Sequence, residues 1–270
     1  MGADLPRVRV TAATLAGGEK NQDRYAYGDG WAFVLDGASS FASSQPEHDG
    51  GWYAERLKSA LVEELTSRPD HLTVDIVASA IRTASAAHDD PDTCPTSTIS
   101  MARWTNESLE AYVLGDSTAV LIAENHEEPI TDKRLESVAP ELRMEYRSRL
   151  AEGHGFDDRH KALLQQLQSR QAAARNRSGG YWIAGAEPQA SLHGLVRHQS
   201  LASLGTVILA TDGAASALTY GLVDSWTTFA GSNLRQLLGE AQTTEESDSS
   251  ATTWPRSKVH DDKTAQIVRF

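Results

Sequence analysis

The run Ala32-Phe33-Val34-Leu35-Asp36-Gly37 sets four apolar residues ahead of an aspartate and a glycine, and Val207-Ile208-Leu209-Ala210-Thr211-Asp212-Gly213 repeats the pattern far along the chain. A strand that is apolar at every position is buried on both faces. Such a strand delivers its last side chain to a sheet edge with little freedom. The glycine then lets the backbone turn away, so that the carboxylate and nearby carbonyl oxygens can face a cation. A single Asp-Gly is ordinary turn chemistry; two of them behind buried strands ask for a common explanation.

Working outward, short strand-like segments fall at 8–14, 24–27, 97–104, 110–114, 119–123 and 265–270. Leu57, Leu61 and Leu65 recur at four-residue spacing within 52–67, and Val77 and Ile81 do so within 74–87. This spacing predicts two amphipathic helices packed as a pair. Strands and helices do not alternate in the βαβα order of a parallel sheet, so an α+β layered fold is expected. The polar segment 131–178 holds two helical patterns, 135–150 and 159–175, divided by Gly153-His154-Gly155, and reads as a helical flap insertion. A last helical pair is expected near 215–242, followed by a mobile loop at 243–253, TTEESDSSATT. No repeat or linker divides the chain, so 1–270 reads as one domain.

With 270 residues, 40% of them hydrophobic, the chain can bury a large core. A net charge of −12, from 37 acidic and 25 basic residues, repels nucleic-acid backbones and anionic membranes and makes neither an expected partner. The lone Cys94 excludes an internal disulfide and a cysteine-only zinc cage; it is expected as a small buried thiol in a reducing compartment. The opening MGADLPRVRV has no apolar run of signal-peptide length, and Pro6 stands where a myristoylation signal on Gly2 wants Ser or Thr. A soluble, cytoplasmic, monomeric protein is therefore expected. The nine histidines form no i, i+4 pair and read as surface or satisfied core residues. His260, beside Asp261, is the one placed to orient a metal-bound water, although a plain loop residue is the simpler reading.

Three more acidic signals complete the pattern: Asn21-Gln22-Asp23 before a short strand, Gly115-Asp116-Ser117 between two strands, and His260-Asp261-Asp262-Lys263-Thr264 before the last one. In order along the chain stand NQD (21–23), LDG (35–37), TST (96–98), GDS (115–117), ATDG (210–213) and DDKT (261–264). This series resembles the metal-dependent protein phosphatases, also called type 2C. NRSGGYWIAG (176–185) is similar to the bacterial members. The resemblance runs over 7–270 and is weakest at 131–178.

The resemblance implies a central β-sandwich of two antiparallel sheets flanked by helical pairs, with Mn²⁺ or Mg²⁺ in a cleft at one edge. Asp36 would bridge two ions and the Gly37 carbonyl would ligate one of them, while Asp212 and Asp261 would hold the other. Asp23, and less directly Gln22, would act through metal-bound water, and Asp116 would share a third, weaker position with Asp212. The implied activity is hydrolysis of phosphoserine and phosphothreonine on proteins that are targets of a Ser/Thr kinase. Water held between the ions attacks directly, with Asp36, Asp212 and Asp261 as the catalytic set. Hard oxygen donors suit these ions better than zinc. Converging carboxylates without a cation would raise one another's pKa. No Cys-x5-Arg phosphatase loop is present, since Ser100 stands where the Arg would follow Cys94. The same chemistry on a phosphorylated small molecule, or a silent relative that only binds a partner, are the alternatives.

Three positions depart from the family. Gly18 lies where many members place a phosphate-binding Arg, which leaves that role unassigned, with Lys20 and Arg24 as the nearest cations. Ala38 stands where many eukaryotic members carry a His proposed as the leaving-group acid, and Thr118 replaces the usual Arg after Gly-Asp-Ser.

Overall fold

The computed structural model describes residues 8–39, 47–124 and 126–270, so the readings made on Gly2 and Pro6 lie outside the described residues. The strands are β1 (Arg9–Leu15), β2 (Arg24–Gly28), β3 (Trp31–Leu35), β4 (Gly37–Ala38), β5 (Thr96–Ser97), β6 (Ile99–Trp104), β7 (Ser108–Leu114), β8 (Thr118–Ala123), β9 (His126–Thr131), β10 (Leu195–Ser200), β11 (Leu204–Ala210) and β12 (Lys263–Arg269). The helices are α1 (Gly50–Ser67), α2 (Thr73–Ser85), α3 (Pro140–Ala151), α4 (Asp158–Ala174), α5 (Asp212–Thr219), α6 (Trp226–Gly231) and α7 (Leu234–Ser247). One sheet runs β1-β12-β11-β8-β9, the other β10-β7-β6-β3-β2, and β4 pairs with β5 beside them. Every strand pair is antiparallel.

The two apolar runs sit where their composition demands. Side chains alternate across a strand. Phe33 and Leu35 of β3 therefore pack on Leu57, Leu61, Ile76 and Ile81 of the α1–α2 pair, while Ala32 and Val34 face the other sheet. In β11, Ile208 and Ala210 meet α5 and α7 through Ala214, Leu237 and Leu238, while Val207 and Leu209 fill the interior between the sheets. Each fully buried large side chain contributes about 1.5–3 kcal/mol. The result is the expected α+β arrangement of helices, two antiparallel sheets, and helices.

Some expectations need correction. The segment 243–253 is not a mobile loop: α7 continues to Ser247, because buried Ala241 and Glu245 extend its inner face. Beyond it, Asp248 accepts the backbone N–H groups of Thr252, Thr253 and Trp254. The expected pair at 215–242 is three helices. Thr131 closes β9, so the insertion starts after it. The edge strands β9 and β10 were not anticipated, since HEEPIT and LVRHQS are largely polar and Pro129 is tolerated on an edge.

Within the insertion, α3 and α4 are split by Gly153 (φ +88°) and Gly155 (φ +63°), left-handed positions that favour glycine. The helices form a small core of their own, with Tyr146, Leu150, Leu163 and Leu167 closing on Ala251. Among the described residues no helix is long and apolar enough to cross a membrane.

Candidate metal centre

Five aspartates reach one end of the sandwich from separate elements. Asp23 precedes β2, Asp36 ends β3, Asp116 lies in the β7–β8 turn, Asp212 opens α5, and Asp261 precedes β12. Asp23 is buried, Asp36, Asp116 and Asp261 are half-buried, and Asp212 opens on a cavity of about 730 Å³ that Asp116 and Asp261 also line.

Protein packed around these groups strips away water and raises the pKa of each of four carboxyls; their mutual repulsion adds to it. Asp23 is pushed up to about 8, by burial first and then by Asp262 and Asp261, against hydrogen bonds from Thr211 and Thr264. Asp116 is pushed up to about 7 by burial and by Asp212. Asp36 rises well above the ordinary range through burial and the charges of Asp23, Asp212 and Asp261. Asp212 rises through desolvation and Asp261, while a hydrogen bond with the Asp36 carboxyl opposes the shift.

The remaining motif residues hold the acids in place. Thr211 Oγ1 donates to Asp23 Oδ2 at 2.9 Å, and the Thr264 N–H donates to Thr211 Oγ1 at 3.0 Å. Thr264 Oγ1 in turn meets Thr14 Oγ1 at 2.7 Å. Behind Asp36, Thr98 donates its N–H to the Asp36 carbonyl at 2.9 Å, and its hydroxyl meets Ser117 Oγ at 2.5 Å. Gly115 takes φ +86° against the Thr98 side chain. A Cβ on Gly37 would collide with the Gly50 carbonyl, and one on Gly213 with the Asp262 carbonyl. Thr118, in the place of the expected Arg, bonds Thr131 Oγ1 at 2.7 Å.

Several flanking residues face elsewhere. Gln22 turns its side-chain amide to Ser39 Oγ at 3.1 Å. Lys20 pairs with Asp49 at 3.1 Å and Arg24 with Glu55 at 2.6 Å, both beside a separate hollow. His260 Nδ1 lies 3.1 Å from Glu245 Oε2, a buried group that also takes Lys263 Nζ at 2.8 Å, so this histidine is turned to the support beneath Asp261. Cys94 is 1% exposed and burial pushes its thiol up to about 11, which leaves it inert at neutral pH.

Three residues had no role assigned from the sequence. Asp262 accepts the N–H groups of Gly17 and Gln22, each at 2.7 Å. Lys263 holds the Asp261 carbonyl at 2.8 Å from below. Lys258 Nζ lies 2.7 Å from Asp261 Oδ1. The surrounding protein works against the charge on Lys258, yet Asp261, Asp36 and Asp212 hold its pKa above the ordinary value. The first two lie inside the DDKT motif; Lys258 lies in none of the motifs, and its one signal is the i,i+3 spacing to Asp261.

The donor set, five carboxylates and the Gly37 carbonyl, suits a hard divalent cation: every donor is an oxygen, the carboxylates repel one another, and the buried Asp23 Oδ1 has no hydrogen-bond partner. Among the described residues no three His, Cys, Asp or Glu side chains stand close enough to close around one ion. The five acids thus form a converging cluster, not a finished coordination shell.

No family model matches the chain, and no curated protein matches it. Solved structures do match. The Mycobacterium tuberculosis serine/threonine phosphatase PstP/Ppp is 13% identical, with 97% of this chain and 98% of that one covered at a TM-score of 0.56. The catalytic domain of serine/threonine phosphatase PstP in complex with 2 manganese ions is 12% identical, covers 97% of both chains, and has a TM-score of 0.52. The PPM Ser/Thr phosphatase MsPP from Mycobacterium smegmatis, in complex with cacodylate, is 18% identical over 97% of this chain and 98% of its own, at 0.52. The chain therefore has the fold of the PPM-type Ser/Thr phosphatases.

Proposed function

We propose that this chain is a divalent-metal-dependent phosphatase of the PPM type, acting on phosphoserine and phosphothreonine in proteins. The observation behind it is the convergence of Asp23, Asp36, Asp116, Asp212 and Asp261 at one end of this fold, where burial and crowding raise the pKa of the first four. A cluster so costly without a counter-charge fits a site made for cations.

Asp36, Asp212 and Asp261 are the residues to hold Mn²⁺ or Mg²⁺, with Asp116 at a further position. When bound, such ions lower the pKa of water and neutralise the phosphate. Asp23 is fixed through Oδ2 by Thr211, which leaves Oδ1 as an acceptor able to orient the attacking water. In the reaction the water oxygen forms a bond to phosphorus as the bond to the serine or threonine oxygen breaks. The attacking water gives up a proton to solvent, and since Ala38 offers no acid the leaving oxygen takes its proton from solvent. The insertion, whose Arg143 and Arg147 line the cavity, is placed to select what approaches.

The test is turnover of a phosphothreonine peptide and of an aryl phosphate with Mn²⁺, with Mg²⁺ and in excess chelator. Hydrolysis of both that stops with chelator is expected. Full activity in chelator would end the metal reading, and hydrolysis of the aryl phosphate alone would end the phosphoprotein assignment.

A further inference from the structure

A phosphate dianion that approaches five carboxylates needs a positive side chain as well as metal ions. Lys20 and Arg24, the cations nearest Gly18 in sequence, are engaged with Asp49 and Glu55. Lys263 is fully buried and held by Glu245 and Gln242. Arg256 spends its guanidinium on the Asp248 carboxylate and on the carbonyls of Glu245, Asp248, Trp254 and Val259. Arg143 and Arg147 line the same cavity from the insertion but are ion-paired with none of the five acids; among the described residues Lys258 is the one cation that is, and it lines that cavity too.

The setting of Lys258 separates a fixed root from a free end. Its backbone follows Arg256, which is bound as above, and Ser257, whose carbonyl lies 3.1 Å from His160 Nε2 of the insertion. Its side chain is 56% exposed and touches the cluster only at its tip, on Asp261 Oδ1 at 2.7 Å. A lysine is a compact charge with three donors on a flexible stem, suited to exchanging one anion for another within a few ångströms. An oxygen of Asp261 that serves a divalent cation is no longer the best partner for the ammonium, whereas a phosphoryl oxygen beside it is.

We propose that Lys258 grips the substrate phosphate, exchanging Asp261 for a phosphoryl oxygen once divalent cations neutralise that carboxylate. This rests on the phosphatase reading above, and it deepens that reading by supplying the cation missing at Gly18. Until that exchange, Lys258 competes with the ions for Asp261.

The experiment compares wild type, Lys258→Met and Lys258→Arg. Mn²⁺ binding is measured by electron paramagnetic resonance of the free ion, inorganic phosphate binding to the Mn²⁺-loaded protein by calorimetry, and KM with a phosphothreonine peptide. Lys258→Met is expected to bind Mn²⁺ at least as tightly as wild type and phosphate about ten- to a hundredfold more weakly, the loss of one charge-assisted hydrogen bond. KM should rise with phosphate affinity, and Lys258→Arg should recover most of both. Unchanged phosphate binding in Lys258→Met, or a loss of Mn²⁺ binding there, overturns the proposal. A wild-type protein that binds phosphate through Lys258 yet hydrolyses no phosphopeptide would leave this assignment standing and remove the phosphatase reading instead.

Discussion

Asp262 accepts the backbone N–H of Gln22 through one carboxylate oxygen at 2.7 Å and that of Gly17 through the other at 2.7 Å. These two bonds tie the root of β12 to the loop that positions Asp23. Asp262→Ala strands both donors, at about 1–3 kcal/mol each. Asp262→Asn keeps one acceptor oxygen and should lose roughly half as much. Urea unfolding of the two variants in chelator checks the ordering, and equal stability of Asp262→Ala and wild type would refute it.

The acids that serve the site should weaken the fold that carries them. Asp36→Asn, Asp212→Asn and Asp261→Asn are each expected to lower kcat/KM by at least about a hundredfold. Asp36→Asn and Asp212→Asn should also raise the melting temperature of the ion-free protein by a few degrees, because each removes a carboxyl that the fold holds against burial and its neighbours' charges. Asp116→Ala should leave ion binding at the other positions intact while slowing turnover. Kinetics and melting curves recorded on the same preparations separate these effects.

Stability of the ion-free protein should fall as pH rises from about 4 to about 8. Asp23 and Asp116, with pKa values of about 8 and about 7 when folded against the ordinary carboxyl value of 3.8, keep their protons where the unfolded chain has lost them. The folded state therefore binds more protons across that window, and linkage gives a negative slope. A divalent ion must displace those protons, so Mn²⁺ binding and its thermal shift should strengthen over the same range. Melting series with chelator and with Mn²⁺ test the opposite slopes; a flat ion-free profile would contradict the raised values.

Lys263 and Glu245, 0% and 2% exposed, form an ion pair beneath Asp261. Lys263→Met leaves a buried carboxylate with only His260 and the Tyr220 hydroxyl beside it and should cost about 3–5 kcal/mol, whereas Lys263→Met with Glu245→Leu should recover most of it. Chemical unfolding of the single and double variants gives the coupling.

The insertion holds its own small core, so it can be altered apart from the sandwich. Replacing 140–174 by a Gly/Ser linker keeps Arg175, whose guanidinium binds the carbonyls of Cys94 and Asp92. The ratio of kcat/KM for a phosphopeptide to that for an aryl phosphate should then change more than tenfold, about 1.4 kcal/mol of differential transition-state binding. An unchanged ratio in a folded truncated protein would make the insertion an ornament.

The layered fold could be read from particular residues. AFVL and VILA, apolar at every position, could only be strands covered on both faces, and the leucine spacing of 52–67 required a helix to cover one of them. The motif acids were legible for the same reason: a buried strand followed by Gly leaves its terminal aspartate little choice of direction. The polar edge strands β9 and β10 were not, because an edge needs no apolar signature and is defined only by its neighbour's free N–H and C=O groups. Nor was the end of α7, where a polar run stays helical because Glu245 finds Lys263 in the core.

What the sequence determined by itself is therefore the identity and order of the acids, the α1–α2 helical pair and the layers, all set by hydrophobic period and local turn chemistry. The tertiary structure decided which cation meets them. Asp261 and Asp262 are chemically alike neighbours, and the start of β12 directs one to Lys258 and the cavity and the other to the amides of Gly17 and Gln22. Lys20 and Lys258 are alike as well. Lys20 is held by Asp49, at a sequence separation of 29, and so is kept from the acids, whereas Lys258 reaches Asp261 as an i,i+3 pair in the bend before β12, because an ion pair forms with whatever opposite charge the folded backbone brings within reach.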